Sequence, residues 1–389
     1  MSRTIICTLI ASIVGSAMSI CLQPVGGSQQ TPAESALATL VKPDEPGFAL
    51  LVRYRGASSI QRSYGVRDLR SRTPINAATN FRLASVTKQF TAMAIMLLVH
   101  DGKVRYDKTL ANFWPDFPDY GKAATIRQLL NHTSGLPDYE DLMEASETSS
   151  GQRWSAEKQI WDEEVLALLR RAARGKFAPG TSWAYSNSGY VVLGLIVSKA
   201  SGLSFPEFLR TRIFVPLHMD ATMVYVKGKN EVPNRAYGHT KEGDAFRETD
   251  QSPTSATLGD GGVYSNLADL TKWDDALHRH TLLSAQEMEP ALAPARLADG
   301  SEPRFPIEPG EDSLHPGKPV FYGFGWFLDP YDRHRSHPRM WHYGSTMGFR
   351  TVIERYTEQP LTVIVLANRT DLDPQELAHR VADFYLSLR

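Results

Sequence analysis

Cysteine is nearly missing from this chain: there are two among 389 residues, Cys7 and Cys21. A disulfide-stapled fold is thereby excluded, because nothing beyond residue 21 carries a thiol. An excess of charge of one sign is missing too. Forty-two Lys and Arg against 43 Asp and Glu leave a formal net charge of −1. No basic tract breaks that balance, so a nucleic-acid surface is not expected. The marked apolar run at 5–17 is too short to span a bilayer, and no membrane span is expected in the mature chain. Spaced metal ligands are lacking as well. His334, His337 and His342 lie among Arg333, Arg335 and Arg339, which repel a cation, and no carboxylate or thiol completes a set. No metal or other cofactor is expected.

The N-terminus reads as an export signal. Arg3, the apolar run and the small-x-small triplet Ala17, Met18, Ser19 make residues 1–19 a cleavable signal peptide, predicting a secreted or periplasmic protein. A lipoprotein signal ending at Cys21 would put Ile20 at an unfavourable position. Residues 20–46 read as a linker, rich in Gly, Ser, Gln, Pro and Ala from Pro24 onward. Residues 47–389 form the folded domain, and 42% hydrophobic content supports a large core. Strands begin near Phe48, with a hairpin near Gly56. Further strand-like segments fall at 349–356 and 361–368, and a last helix starts at the Asp373, Pro374, Glu376 cap. Between 103 and 320 most periodicity is helical. An α/β layer built from both chain ends, with a helical region inserted, is the predicted organisation.

Three short motifs occur in one order: SVTK at 85–88, YSN at 185–187 and HYG at 342–344. Each recurs elsewhere, at Ser155 to Lys158, at Tyr264 to Asn266 and as His315, Pro316, Gly317. In a chain this long roughly one or two SxxK matches arise by chance, so context decides. Ser85 precedes a stretch, 90–99, that is apolar except for Thr91, and Asp101 and Gly102 supply a stop. A helix apolar nearly all round is a buried one. Ser85 is therefore predicted at its N-terminus, with Lys88 on the same face one turn on. There the helix dipole favours negative charge, and burial lowers the lysine toward the pKa of a general base. Around Ser155 the acids Glu157, Asp162, Glu163 and Glu164 indicate a solvated helix face.

Tyr185 follows a turn signal, Ala178 to Thr181, and precedes the apolar run 191–196, which places it on a loop before a buried helix. Tyr264 introduces Ser265, Asn266 and Asp269, the pattern of an ordinary N-cap. His342 precedes Gly344 on a strand, where close backbone approach suits substrate docking through main-chain hydrogen bonds. His132 reads as the end of a helix capped by Gly135, and Arg350 as a sheet-edge residue within reach of a substrate carboxylate.

With these motifs the chain resembles the serine β-lactamase-related superfamily in its branch with an HxG third motif: class C β-lactamases, DD-peptidases, D-aminopeptidases and β-lactamase-fold esterases. Longer blocks carry the same likeness, at 126–139 (IRQLLNHTSGLPDY), 177–194 (FAPGTSWAYSNSGYVVLG), 259–273 (GDGGVYSNLADLTKW) and 322–326 (YGFGW). The resemblance implies an antiparallel sheet flanked by helices and a serine hydrolase working through an acyl-enzyme. Ser85 would be the nucleophile, with Lys88 and Tyr185 sharing the general-base work. Asn187 would bind substrate and orient Lys88, and His342, Gly344 and Ser345 would line the docking strand. The backbone N–H groups of Ser85 and Ser345 would form the oxyanion hole. Small esters, amides or D-amino-acid peptides are the implied substrates. A class C-like β-lactamase, a DD-carboxypeptidase and a penicillin-binding sensor that acylates without turnover stay open. Where related enzymes carry the lysine of KTG, this chain has His342. At an ordinary pKa near 6.5 it would be mostly neutral at pH 7 and charged toward pH 6.

Overall fold

A computed structural model of the protein describes residues 37, 39–55, 58–305, 317–329 and 337–387. The expected signal peptide, Gly56, His315, Pro316 and His334 lie outside the described residues. Among those described, no single helix is long and apolar enough to cross a membrane.

A six-stranded antiparallel sheet joins the two chain ends. Its strands are β1 (Phe48–Tyr54), β2 (Ser58–Tyr64), β3 (Phe327–Asp329), β4 (Arg339–Thr346), β5 (Phe349–Tyr356) and β6 (Leu361–Ala367), in spatial order β3-β4-β5-β6-β1-β2. Alternation along a strand decides which layer each side chain meets. Phe48, Leu50 and Val52 of β1 pack with Leu377, Val381 and Tyr385, whereas Ala49 and Leu51 join the cluster of the helical region. Both faces of β1 and β6 are thus covered, which is why these strands read as unbroken apolar runs.

Among the described residues, six helices have ten residues or more: α1 (Lys88–His100), α2 (Tyr139–Ser150), α3 (Asp162–Arg171), α4 (Asn187–Ser201), α5 (Leu267–Arg279) and α6 (Pro374–Leu386). Gln89 to Leu98 of α1 are all buried, as its composition requires, and Gly102 follows its end with φ +69°. The side chain of Asp373 accepts from the N–H groups of Gln375 and Glu376, capping α6 at the expected place.

Three expectations are revised. The inserted region also holds short strands, Phe81–Arg82, Met223–Val224 and Val263–Ser265 in one sheet and the hairpin His239–Glu242 with Ala245–Glu248. At two to four residues these are too short for period-two alternation to register. The end of the stretch read as linker is docked on the fold: Leu37 and Val41 are buried against β1 and α6, and the Glu45 carbonyl accepts from Val66 N–H at 2.8 Å. The short apolar run 36–41, broken only by Thr39, was averaged into the Gly-, Ser- and Pro-rich composition of the stretch. Ser155 lies in a turn, where its hydroxyl accepts from the N–H groups of Glu157 and Lys158, and the next helix begins only at Asp162. Tyr264 sits on a buried strand, and Asn266 caps α5 by accepting from Asp269 N–H.

Candidate active site

Ser85 lies in a tight 3₁₀ turn, Ala84–Thr87, that runs directly into α1, so the α-helix proper starts at Lys88. Ala84 holds φ +48°, a conformation costing a residue with a Cβ roughly 1 kcal/mol or more. The turn is pinned from the sheet. Thr351 Oγ1 donates to the Leu83 carbonyl at 2.8 Å, and a Cβ on Gly344 would stand 2.2 Å from that same oxygen. Glycine at 344 therefore lets the Ser85 turn lie against β4.

Lys88 is fully buried and makes three hydrogen bonds, to Ser85 Oγ (3.0 Å), Asn187 Oδ1 (2.8 Å) and the Asp260 carbonyl (3.1 Å). Three acceptors match the three N–H groups of an ammonium. A neutral amine would keep two donations and turn its lone pair to the third partner, and among the three only the serine has a proton to give. Burial lowers the pKa of Lys88 to about 8, opposed by the charges of Asp260, Asp138 and Glu140. Asn187 opens α4, and its N–H donates to Asp138 Oδ2 at 3.1 Å. Asp138 also caps α2 through Glu140 N–H, so one carboxylate holds two helix starts together.

Tyr185 lies two residues before α4, as its context predicted, with Lys88 Nζ 4.8 Å from its ring centre. Burial pushes its hydroxyl well above the ordinary tyrosine range, while a hydrogen bond with the Ser85 side chain pulls the other way. His132 packs beside it, with 4.4 Å between ring centres and the planes tilted by 37°. Asn131, not Gly135, is the C-cap of the short helix Ile126–Leu130, and His132 beyond it forms part of the wall behind Tyr185.

His342 departs most from expectation. It is fully buried, Nδ1 lies 2.7 Å from the Tyr343 carbonyl and Nε2 lies 3.0 Å from the Tyr322 hydroxyl. Burial brings its pKa down to about 3, and the charge of Lys88 adds to the effect. It therefore does not charge near pH 6, and both nitrogens are committed inside the protein. Arg350 is revised as well: it lies on β5, an interior strand, and turns back to donate to the carbonyls of Thr346 and Phe349.

A small cleft of about 50 Å³ opens at Ser85, with Asn187 and the exposed Ser345 on its walls. Its charged lining is Arg82, Glu140 and Asp260. Asp260 is buried, and its Oδ2 accepts from the Tyr139 hydroxyl at 3.2 Å. The structure thus brings Ser85, Lys88, Tyr185, Asn187, Gly344 and Ser345 together around one opening and sets His342 behind it. Motif reading passed over Asp138, Asp260 and Tyr322. Asp138 carried a usable signal, an acid before Glu140 and Asp141 at a helix start. Asp260 and Tyr322 lay in the blocks GDGG and YGFGW, where nothing local distinguishes them from turn residues.

Comparison with known proteins bears directly on this architecture. Residues 33–386 match the family model described as Beta-lactamase. The chain belongs to the β-lactamase family. Within that family it is 32% identical to Penicillin-binding protein 4* of Bacillus subtilis, over 79% of this chain and 65% of that protein. It is 28% identical to a D-aminopeptidase of Cereibacter sphaeroides, over 59% of this chain and 43% of the relative. The chain spans less than two-thirds of either curated relative. Among solved β-lactamase-family folds, D-amino acid amidase from Ochrobactrum anthropi complexed with D-phenylalanine superposes with a TM-score of 0.69 at 25% identity, over 92% of this chain and 98% of that one.

Proposed function

We propose that the protein is a serine hydrolase that works through an acyl-enzyme on small amides and esters, with Ser85 as nucleophile and Lys88 as its base. The observation that carries this is the triple contact of Lys88 with Ser85, Asn187 and Asp260. Neutral Lys88 takes the Oγ proton as Oγ bonds to the substrate carbonyl carbon. The oxygen charge that develops falls between the N–H groups of Ser85 and Ser345. Collapse breaks the bond to the leaving amine or alcohol, which receives the proton from Lys88 directly or through the Tyr185 hydroxyl. Water then attacks the acyl carbon, giving its proton to Lys88, and Ser85 Oγ leaves and is reprotonated. Tyr185 stays protonated near neutral pH and relays a proton rather than acting as a phenolate.

Substrates bearing an ammonium fit the cleft best. Two of its three charged lining residues are Glu140 and Asp260, and the third motif places no cation at the opening. The D-amino-acid specificity named for two of the relatives supports amides and peptides of D-amino acids as the first candidates. Export to the periplasm or exterior is supported by the N-terminal pattern. The deciding panel pairs D- and L-alanine p-nitroanilide, their N-acetyl derivatives, p-nitrophenyl butyrate and nitrocefin, with mass spectrometry of the protein. The free-amine D-anilide should exceed its N-acetyl form and nitrocefin in kcat/KM at least tenfold, and no acyl adduct should accumulate. Faster nitrocefin turnover would install the β-lactamase alternative, and a stable adduct without turnover the sensor.

A further inference from the structure

The third motif carries a buried imidazole where a KTG motif would carry a lysine, and its surroundings define what that imidazole does. A backbone carbonyl can only accept, so the 2.7 Å contact with Tyr343 puts a proton on Nδ1 of His342. In the neutral ring Nε2 is then an acceptor, and the Tyr322 hydroxyl at 3.0 Å, which also meets the Tyr190 side chain, donates to it. A second ring proton would force that hydroxyl to turn and accept, and would put a buried cation near Lys88.

The pair also closes a ring of aromatic contacts around Tyr185. Tyr322 meets His132 at 4.5 Å, His132 meets Tyr185 at 4.4 Å, and Tyr185 meets His342 at 6.2 Å. His132 is likewise neutral, because its Nδ1 accepts from Ser186 N–H at 3.1 Å. Its proton therefore sits on Nε2, the opposite tautomer to His342. The wall behind Tyr185 is thus made of two buried imidazoles, each held uncharged by a donated hydrogen bond.

We propose that Tyr322 and His342 act as a positioning pair, locking a neutral imidazole that ties β4 to the wall behind Tyr185 and keeps a second positive charge away from Lys88. The pair touches no substrate. It acts through Tyr185 and Lys88, and so rests on the acyl-enzyme reading. A lysine at 342 would have only protons to offer and would bring a second ammonium toward the first.

Three measurements on the full chain separate the inference from that reading. Nitrogen-15 NMR of the imidazoles should show His342 as the Nδ1–H tautomer, with no titration between pH 5 and 8. The rate of Ser85 labelling by a fluorophosphonate should fall roughly tenfold in Tyr322→Phe, with a shifted pH dependence and a circular dichroism spectrum like that of the unmutated protein. His342→Gln, whose amide offers both a donor group and an acceptor, should keep several-fold more activity than His342→Lys. Titration of His342 between pH 5 and 8, the Nε2–H tautomer, or unchanged labelling in Tyr322→Phe overturns the pair. Absence of any adduct at Ser85 in the unmutated protein removes the acyl-enzyme reading and this inference's catalytic consequence with it, while the tautomer still decides the hydrogen-bond pairing.

Discussion

Lys88 sets the pH response of the proposed chemistry. Its working form is the neutral amine, so kcat/KM should rise with pH through an apparent value near 8, well below the ordinary lysine pKa of about 10.5. A pH–rate profile on a neutral ester, whose own charge does not change, isolates this limb. A limb near 6.5 would point instead to a histidine. Lys88 and Tyr185 both contact Ser85, so they should fail as a unit. Lys88→Met and Tyr185→Phe should each lower kcat on the order of a hundredfold or more, and the double variant should lose little beyond the worse single one. Additive losses would mean that the two act independently. At this scale much was legible in the sequence. Ser85 and Lys88 are three residues apart on one turn, and Asn187 opens a helix whose apolar run is plain. The state of His342 was not legible, because it depends on Tyr322, twenty residues away, and on a burial that no local pattern records.

At the scale of elements, the site is a junction in which a turn, a strand and two helix starts meet. Gly344 marks the closest approach. A methyl group there would stand 2.2 Å from the Leu83 carbonyl and 2.4 Å from Thr351 Oγ1, so turn and strand would have to part. Gly344→Ala should therefore cost about 1–3 kcal/mol of stability and slow Ser85 labelling by more than that loss alone explains, as read by thermal unfolding beside fluorophosphonate kinetics. Labelling at the unmutated rate would show that the turn does not need the strand. The elements themselves followed from the sequence wherever they were long: α1, α4, α6, β5 and β6 lie where periodicity put them. Short strands such as Val263–Ser265 owe their pairing to distant partners, and the docked end of the linker stretch rests on Leu37 and Val41 together with backbone pairing at Glu45.

Across the whole molecule, buried neutral imidazoles make stability depend on acid. The pKa of His342 is about 3 in the folded protein, and that of His132 lies well below 6.5; both return to about 6.5 on unfolding. The depressed folded values mean that their contribution is fully present above pH 6.5. It is lost as pH falls toward the folded values, because only the unfolded chain takes up the protons. Each group contributes a slope of at most about 1.4 kcal/mol per pH unit in that window. Urea unfolding between pH 7 and 4.5 should show the decline, and His342→Gln should flatten it by up to one such slope. An unchanged slope in that variant would place the acid sensitivity elsewhere.

The pairing of β1 with β6 has a further consequence in time. Gly47 N–H, just before β1, donates to Asn368 Oδ1, just after β6, across 321 positions of sequence. At about 5–20 residues per second, a ribosome needs roughly 15–60 s to make that distance. Throughout that interval the apolar seam Phe48, Leu50, Val52 has been synthesised without the strand that covers one of its edges. The native sheet cannot close until β6 has been made, so its assembly waits on the distant partner of β1. A chaperone or a translocation channel that engages extended chain has that window in which to act before the fold can compete.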